Sequence, residues 1–231
     1  MPPSSAQPAA ALPDCVEMQT SEQPDAAVIW LHGLGADGYD FVPIVREFDA
    51  LGVPPLRYVF PHAPMRPVTI NGGHVMRAWY DIRVADLAQR EDPEGIRASQ
   101  AQVDKLIERE VARGVARGRI VLAGFSQGGA IVLHTAIRQP QPVAGVVALS
   151  CYLPLDGTVD AEATAASRAT PILMAHGTTD PVVPFERGRR SRERLDALGF
   201  QVQWHEYPIQ HGLCADEVGD IARFLAGRLR V

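Results

Sequence analysis

Near the middle of the chain, Gly124-Phe125-Ser126-Gln127-Gly128 sets one serine between two glycines. The apolar run RIVLA (119–123) precedes it and the helix-like run GGAIVLHTAI (128–137) follows. The pattern is strand, tight turn, helix. A serine at such a turn projects from the carboxyl end of its strand, where open parallel sheets hold their ligands. The turn is crowded, so the residues two before and two after the serine must be small; both are glycine here. The helix that starts there presents its positive dipole end to the same spot, which favours a developing oxyanion.

A serine hydroxyl is a weak nucleophile until a base takes its proton. In sheets that carry such an elbow the partners follow in the order Ser, Asp or Glu, His. Four histidines follow Ser126: His134, His176, His205 and His211. His134 falls inside the next helix, His176 ends a strand and His205 sits within one. His211, in the loop YPIQHGLC between the last strand and last helix, is the candidate base. The candidate acid is Asp180, in a loop after an intervening strand and followed by a proline that disfavours helix. Asp156 competes with it, but its loop follows an earlier strand. The acid would fix the histidine tautomer and stabilise the imidazolium. Two amide donors would hold the oxyanion: the N–H of Gln127, directly after the serine, and that of Leu34, in the glycine-rich run LHGLGADG (31–38). A phosphate-binding role for that run lacks the GK[ST] and GxGxxG patterns.

Short apolar runs alternate with helical ones around these residues. Strands are expected at 26–33, 56–61, 119–124, 143–150, 171–177 and 201–208, and helices at 95–115, 127–138, 184–198 and 214–229. This alternation predicts an α/β fold, a mostly parallel sheet covered by helices on both faces. Two segments, 61–78 and 151–170, read as irregular. The first carries Met65, Val68, Ile70, Val75 and Met76, with Trp79 just beyond. So many apolar residues in an irregular, proline-rich stretch point to a groove wall or a core cap.

At 231 residues the chain can bury a sizeable core, and a hydrophobic content of 46% is globular. The net charge of -5 speaks against nucleic acid or an anionic membrane as partner. Cys15, Cys151 and Cys214 form no CxxC pair, so neither a disulfide framework nor a zinc cluster is expected. The N-terminal MPPSSAQPAAALPD carries no sustained apolar run and no basic side chain, the first being Arg46, so no signal peptide is expected. No run is long enough to span a bilayer. The expectation is a cytoplasmic protein with residues 1–13 as a disordered tail and 14–231 as a single domain.

The segments WLHGLGADGYDF, FPHAPMRPVTINGGHVMRAWYD, GFSQGGA, HGTTDPVVP and QHGLC occur in this order. Together they resemble the acyl-protein thioesterase/carboxylesterase family, its bacterial carboxylesterase branch in particular, over roughly residues 14–229. The resemblance implies an α/β-hydrolase fold with a minimal cap, no cofactor and no metal. It implies hydrolysis of short acyl esters, acyl thioesters or lysophospholipids, and leaves a homodimer open. It assigns the nucleophile to Ser126, the acid to Asp180, the base to His211 and the oxyanion amides to Leu34 and Gln127. It makes 63–81 the wall of an acyl channel, with Met76 and Trp79 as apolar contacts. Cys151 stands where eukaryotic members carry glycine, a change that would narrow the pocket near Leu153. The alternatives are a non-catalytic binding protein on the same fold, a peptidase, or a lactone hydrolase with a cysteine nucleophile. The serine at the elbow speaks against the last.

Overall fold

The apolar runs become strands of one seven-stranded sheet in the computed structural model, which describes residues 12–83 and 91–230. Most of the expected tail, residues 1–11, lies outside the described residues. The first half of the chain forms β1 (Cys15–Gln19), β2 (Ala27–Leu31), α1 (Ile44–Ala50), β3 (Arg57–Pro61), β4 (Met65–Val68), β5 (His74–Arg77) and α2 (Pro93–Ala112). The second half forms β6 (Ile120–Phe125), α3 (Gln127–Ala136), β7 (Gly145–Leu149), α4 (Val159–Glu162), β8 (Ile172–Gly177), α5 (Phe185–Ala197), β9 (Val202–Tyr207) and α6 (Ala215–Leu229). In space the order is β1-β3-β2-β6-β7-β8-β9. Only β1 runs antiparallel to its neighbour.

Both faces of the sheet are covered, which is why β2, β7 and β8 are buried at every position and read as unbroken apolar runs. Alternate residues of each strand serve opposite layers. Ile29 and Leu31 join a core with Ile96, Leu106 and Ile107 of α2, Ile131 and Leu133 of α3 and Leu195 of α5. Val28 and Trp30 join the other core, with Phe48 of α1 and Val218, Ile221, Leu225 and Leu229 of α6.

The expected strands and helices all appear, with ends shifted by up to three residues. The edge strand β1, which borrows its pairing from β3, and the short helix α1 had no clear signal. The segment 61–78 is not irregular: β4 and β5 form an antiparallel hairpin, with Met65 opposite Arg77 and Val68 opposite His74. Short turns and the four-residue α4 occupy 151–170. The chain steps from β2 to β3 on one side and resumes at β6 on the other side of β2. Such a reversal opens a crevice at the carboxyl ends of the two strands.

Candidate active site

The two strands beside that crevice deliver Leu34 and Ser126. The elbow is as tight as the glycines require. A Cβ on Gly124 would lie 2.5 Å from the Gly128 carbonyl, and one on Gly128 would lie 2.3 Å from the carbonyl oxygen of Leu31. Ser126 has φ 54° and ψ -118°, a strained conformation for a residue with a side chain. Its N–H is held by the Leu149 carbonyl at 2.8 Å, which fixes the turn against β7. The side chain stays partly exposed while the helix behind it is buried along its whole length.

β8 and β9 end on the same side of the sheet and deliver Asp180 and His211. Asp180 Oδ2 accepts a hydrogen bond from His211 Nδ1 at 2.6 Å. The other carboxylate oxygen, Oδ1, accepts from the amides of Val182 at 2.8 Å and Val183 at 2.9 Å. The Asp180 side chain has no exposed surface, whereas that of His211 is 16% exposed. A buried carboxylate that accepts two amides and one imidazole N–H is held in one orientation. The Nδ1 proton on His211 leaves Nε2 as the acceptor, the tautomer a general base needs. Phe125 packs its ring 4.7 Å from the imidazole, centroid to centroid, and so joins the base to the elbow.

The second candidate amide donor, Leu34 N–H, lies in the loop after β2. Gly35 N–H donates to the Arg77 carbonyl and Ala36 N–H to that of Gly33; among the described residues none accepts from Leu34 N–H. Gln127 begins α3, and the first amides of a helix lack partners within it. Behind the loop, His32 is buried. Its Nε2 accepts from Ala63 N–H at 3.1 Å, so Nδ1 is the donor to the Gly33 carbonyl at 2.7 Å. Burial pushes the His32 pKa down to about 4, so the ring is neutral.

A groove of about 250 Å³ opens at Ser126 and Gln127, with apolar walls from Leu34, Ile70, Ile82, Val182 and Val183. The sequence-predicted acyl contacts separate here. Met76 is not one of the groove walls and lies behind one of them: its Sδ is 3.4 Å from Asn71 Nδ2, and 3.7 Å from where a Gly35 Cβ would sit. Trp79 has no exposed surface and belongs to the core beneath the loop, so it offers the groove no wall. Leu153 is buried and borders a different cavity of about 350 Å³ with Tyr152, Glu91 and Arg187. Tyr80 and Tyr152, one at each cavity, share a hydrogen bond between their hydroxyls at 2.9 Å. Cys151 is buried against Gly129, and burial pushes its thiol pKa up, so it is a packed small side chain and not a thiolate.

The sequence did not single out Val182, Val183 or Ile82 as groove walls. The first two follow Asp180 directly in DPVVP, where the turn that presents the acid also presents them. His176, at the end of β8, stands behind that turn: its Nε2 donates to the Val183 carbonyl at 2.8 Å and lies 3.6 Å from Asp180 Oδ2. Burial lowers its pKa, which keeps it neutral beside the acid. Among the described residues no group of three or more His, Cys, Asp or Glu could hold a metal ion, and no helix is long and apolar enough to cross a membrane.

The phospholipase/carboxylesterase family pattern matches residues 14–228. An acyl-protein thioesterase 1 from Gibberella zeae is 37% identical over 218 residues, covering 90% of this chain and 93% of that protein. Another from Neurospora crassa is 38% identical over 214 residues, covering 88% and 87% respectively. The crystal structure of Zea mays acyl-protein thioesterase 2 superimposes with a TM-score of 0.81 at 30% identity, covering 94% of this chain and 100% of that one.

Proposed function

The chain belongs to the phospholipase/carboxylesterase family of α/β-hydrolase enzymes, and we propose that it cleaves short- to medium-chain carboxylic esters through a Ser126 acyl-enzyme. Acyl thioesters and lysophospholipids are cleaved by the same route. The observation that carries this reading is the 2.6 Å contact between His211 Nδ1 and the buried Asp180 carboxylate, at the sheet end where Ser126 is strained outward.

His211 Nε2 takes the proton of Ser126 Oγ as that oxygen bonds to the acyl carbonyl carbon. The carbonyl oxygen becomes an oxyanion held by the Leu34 and Gln127 amides. Collapse breaks the bond to the alcohol or thiol, which leaves with the proton from His211. Water then gives its proton to His211 and attacks the acyl carbon, and the second collapse frees the acid and restores Ser126. Asp180 keeps its charge throughout. The acyl chain lies along the apolar groove walls, where each buried CH₂ contributes about 0.8 kcal/mol. The reading includes a small-molecule substrate and a cytoplasmic location.

Ser126→Ala tests it. The covalent route is lost and kcat for p-nitrophenyl butyrate falls about 10⁴- to 10⁶-fold. A folded variant that retains more than a tenth of wild-type activity overturns the assignment.

A further inference from the structure

The two proposed oxyanion amides follow different strands, Leu34 in the loop after β2 and Gln127 at the start of α3, and no covalent link sets the distance between them. A third segment does so. Residues 77–80, at the end of the β4–β5 hairpin, touch both loops. On one side the Arg77 carbonyl accepts from Gly35 N–H at 2.9 Å and the Trp79 indole N–H donates to the His32 carbonyl at 3.0 Å. These bonds bracket Leu34. On the other side the Gln127 side chain spans two backbone groups: its Oε1 accepts from Trp79 N–H at 2.7 Å and its Nε2 donates to the Tyr80 carbonyl at 2.8 Å. Ser99 of α2 donates its hydroxyl to the Trp79 carbonyl and so anchors the segment to the core. Every partner in this set except Gly35 and Arg77 is buried.

We propose that the Gln127 side chain and Trp79 are positioning residues that fix the separation of the Leu34 and Gln127 amides, and thereby set how well the oxyanion is held. The inference rests on the proposed hydrolase mechanism. Its chemical basis is specific to an amide side chain. Among side chains that do not ionise, Asn and Gln are the ones that carry a donor and an acceptor side by side, and Gln127 spends one on each of the two backbone groups. An ionised glutamate would keep the bond from Trp79 N–H and set a carboxylate oxygen against the Tyr80 carbonyl. A methionine of similar length would lose both bonds while filling the same space. Trp79 explains itself in the same way: its ring fills the space under the loop, 5.4 Å from His32, and its N–H pins the loop backbone. Misplacing reacting groups by about 1 Å costs on the order of 10²-fold in rate.

The test uses the full-length protein with Gln127→Met, Gln127→Glu and Trp79→Phe, assayed beside wild type and Ser126→Ala. kcat and KM for p-nitrophenyl butyrate are measured from pH 5 to 9, together with inhibition by an acyl trifluoromethyl ketone, whose adduct places an oxyanion in the same site. Gln127→Met and Gln127→Glu lower kcat about 10- to 100-fold and weaken the ketone by the same factor, as a displaced oxyanion donor does. Trp79→Phe, which loses one bond and keeps most of the ring, lowers both about 3- to 10-fold. KM stays within about threefold and the pH midpoint of kcat/KM is unchanged, because the triad is untouched. Full kcat in folded Gln127→Met overturns the proposal. So does a loss of kcat with undiminished ketone affinity. Should Gln127→Met fail to fold, Gln127→Glu and Trp79→Phe carry the same criteria. Activity surviving in Ser126→Ala would instead overturn the mechanism on which the inference rests.

Discussion

Asp180 gives its two carboxylate oxygens different work, and that division can be tested with one atom. Oδ1 holds the turn through the Val182 and Val183 amides, and Oδ2 holds His211. Asp180→Asn should preserve the first and reverse the second. The amide oxygen takes the place of Oδ1, because the opposite orientation would set the NH₂ against two backbone N–H donors. The NH₂ then faces His211 Nδ1, which becomes the acceptor, and the ring proton moves to Nε2, where it blocks proton abstraction from Ser126. The expected loss is about 10⁴-fold in kcat. Stability should change little, since the two amide bonds survive. Asp180→Ala removes both, and hydrogen bonds to a charged group contribute about 1.5–3 kcal/mol each. That variant should therefore lose roughly 3–6 kcal/mol of unfolding free energy as well as activity. The assays are steady-state hydrolysis of p-nitrophenyl butyrate at pH 7.5 and urea denaturation of all three proteins. A folded Asp180→Asn that keeps more than a tenth of wild-type kcat would refute the tautomer argument. Equal stability of Asp180→Ala and wild type would refute the turn argument.

Three further outcomes follow from the geometry. Gly128→Ala places a Cβ 2.3 Å and 2.6 Å from the carbonyl oxygens of Leu31 and His32; backbone cannot yield as a side chain can, so urea melts should show a loss of about 3 kcal/mol. Glu217 is buried and its Oε1 has no partner among the described residues; burial raises its pKa from 4.5 to about 7. A raised carboxyl pKa contributes stability that is full below 4.5 and lost as pH rises through 7, so the thermal midpoint of the wild type should fall between pH 5 and 8 by more than that of Glu217→Gln. Along a series of acyl esters, kcat/KM should rise about fourfold per CH₂ while the chain lies in the groove; Ile70→Asn should flatten that rise and Leu153→Ala should not, as read from ester panels kept below micelle formation.

The triad candidates were legible because their signals are local. Each needs a residue type at the carboxyl end of a strand, and a strand buried on both faces announces itself as an apolar run such as ILMAHG before Asp180. The order Ser126, Asp180, His211 then selects one aspartate and one histidine without knowledge of distance. The glycines at 124 and 128 are legible from the elbow pattern itself: a Cβ at Gly124 would meet the backbone of Gly128 and Gly129 at the start of α3, and one at Gly128 the backbone of Leu31 and His32 at the end of β2.

The groove was legible only in part, because apolar character does not say which way a side chain faces. Ile70 and Trp79 belong to the same apolar stretch, yet Ile70 is 43% exposed at the groove and Trp79 is fully buried. What separates them is hydrogen bonding across long sequence distances. Trp79 has its partners at His32 and Gln127, 47 and 48 residues away. A tryptophan whose indole N–H finds a backbone carbonyl is suited to full burial, since the polar atom it takes inside is satisfied. The same holds for Gln127. In the sequence it is only the residue after the serine, and its backbone amide draws the attention; the work of its side chain is visible only once the hairpin has folded back over the elbow. The hairpin therefore serves the candidate site twice, with Ile70 lining the groove at Ser126 and residues 77–80 bonded to both segments that carry the proposed oxyanion amides.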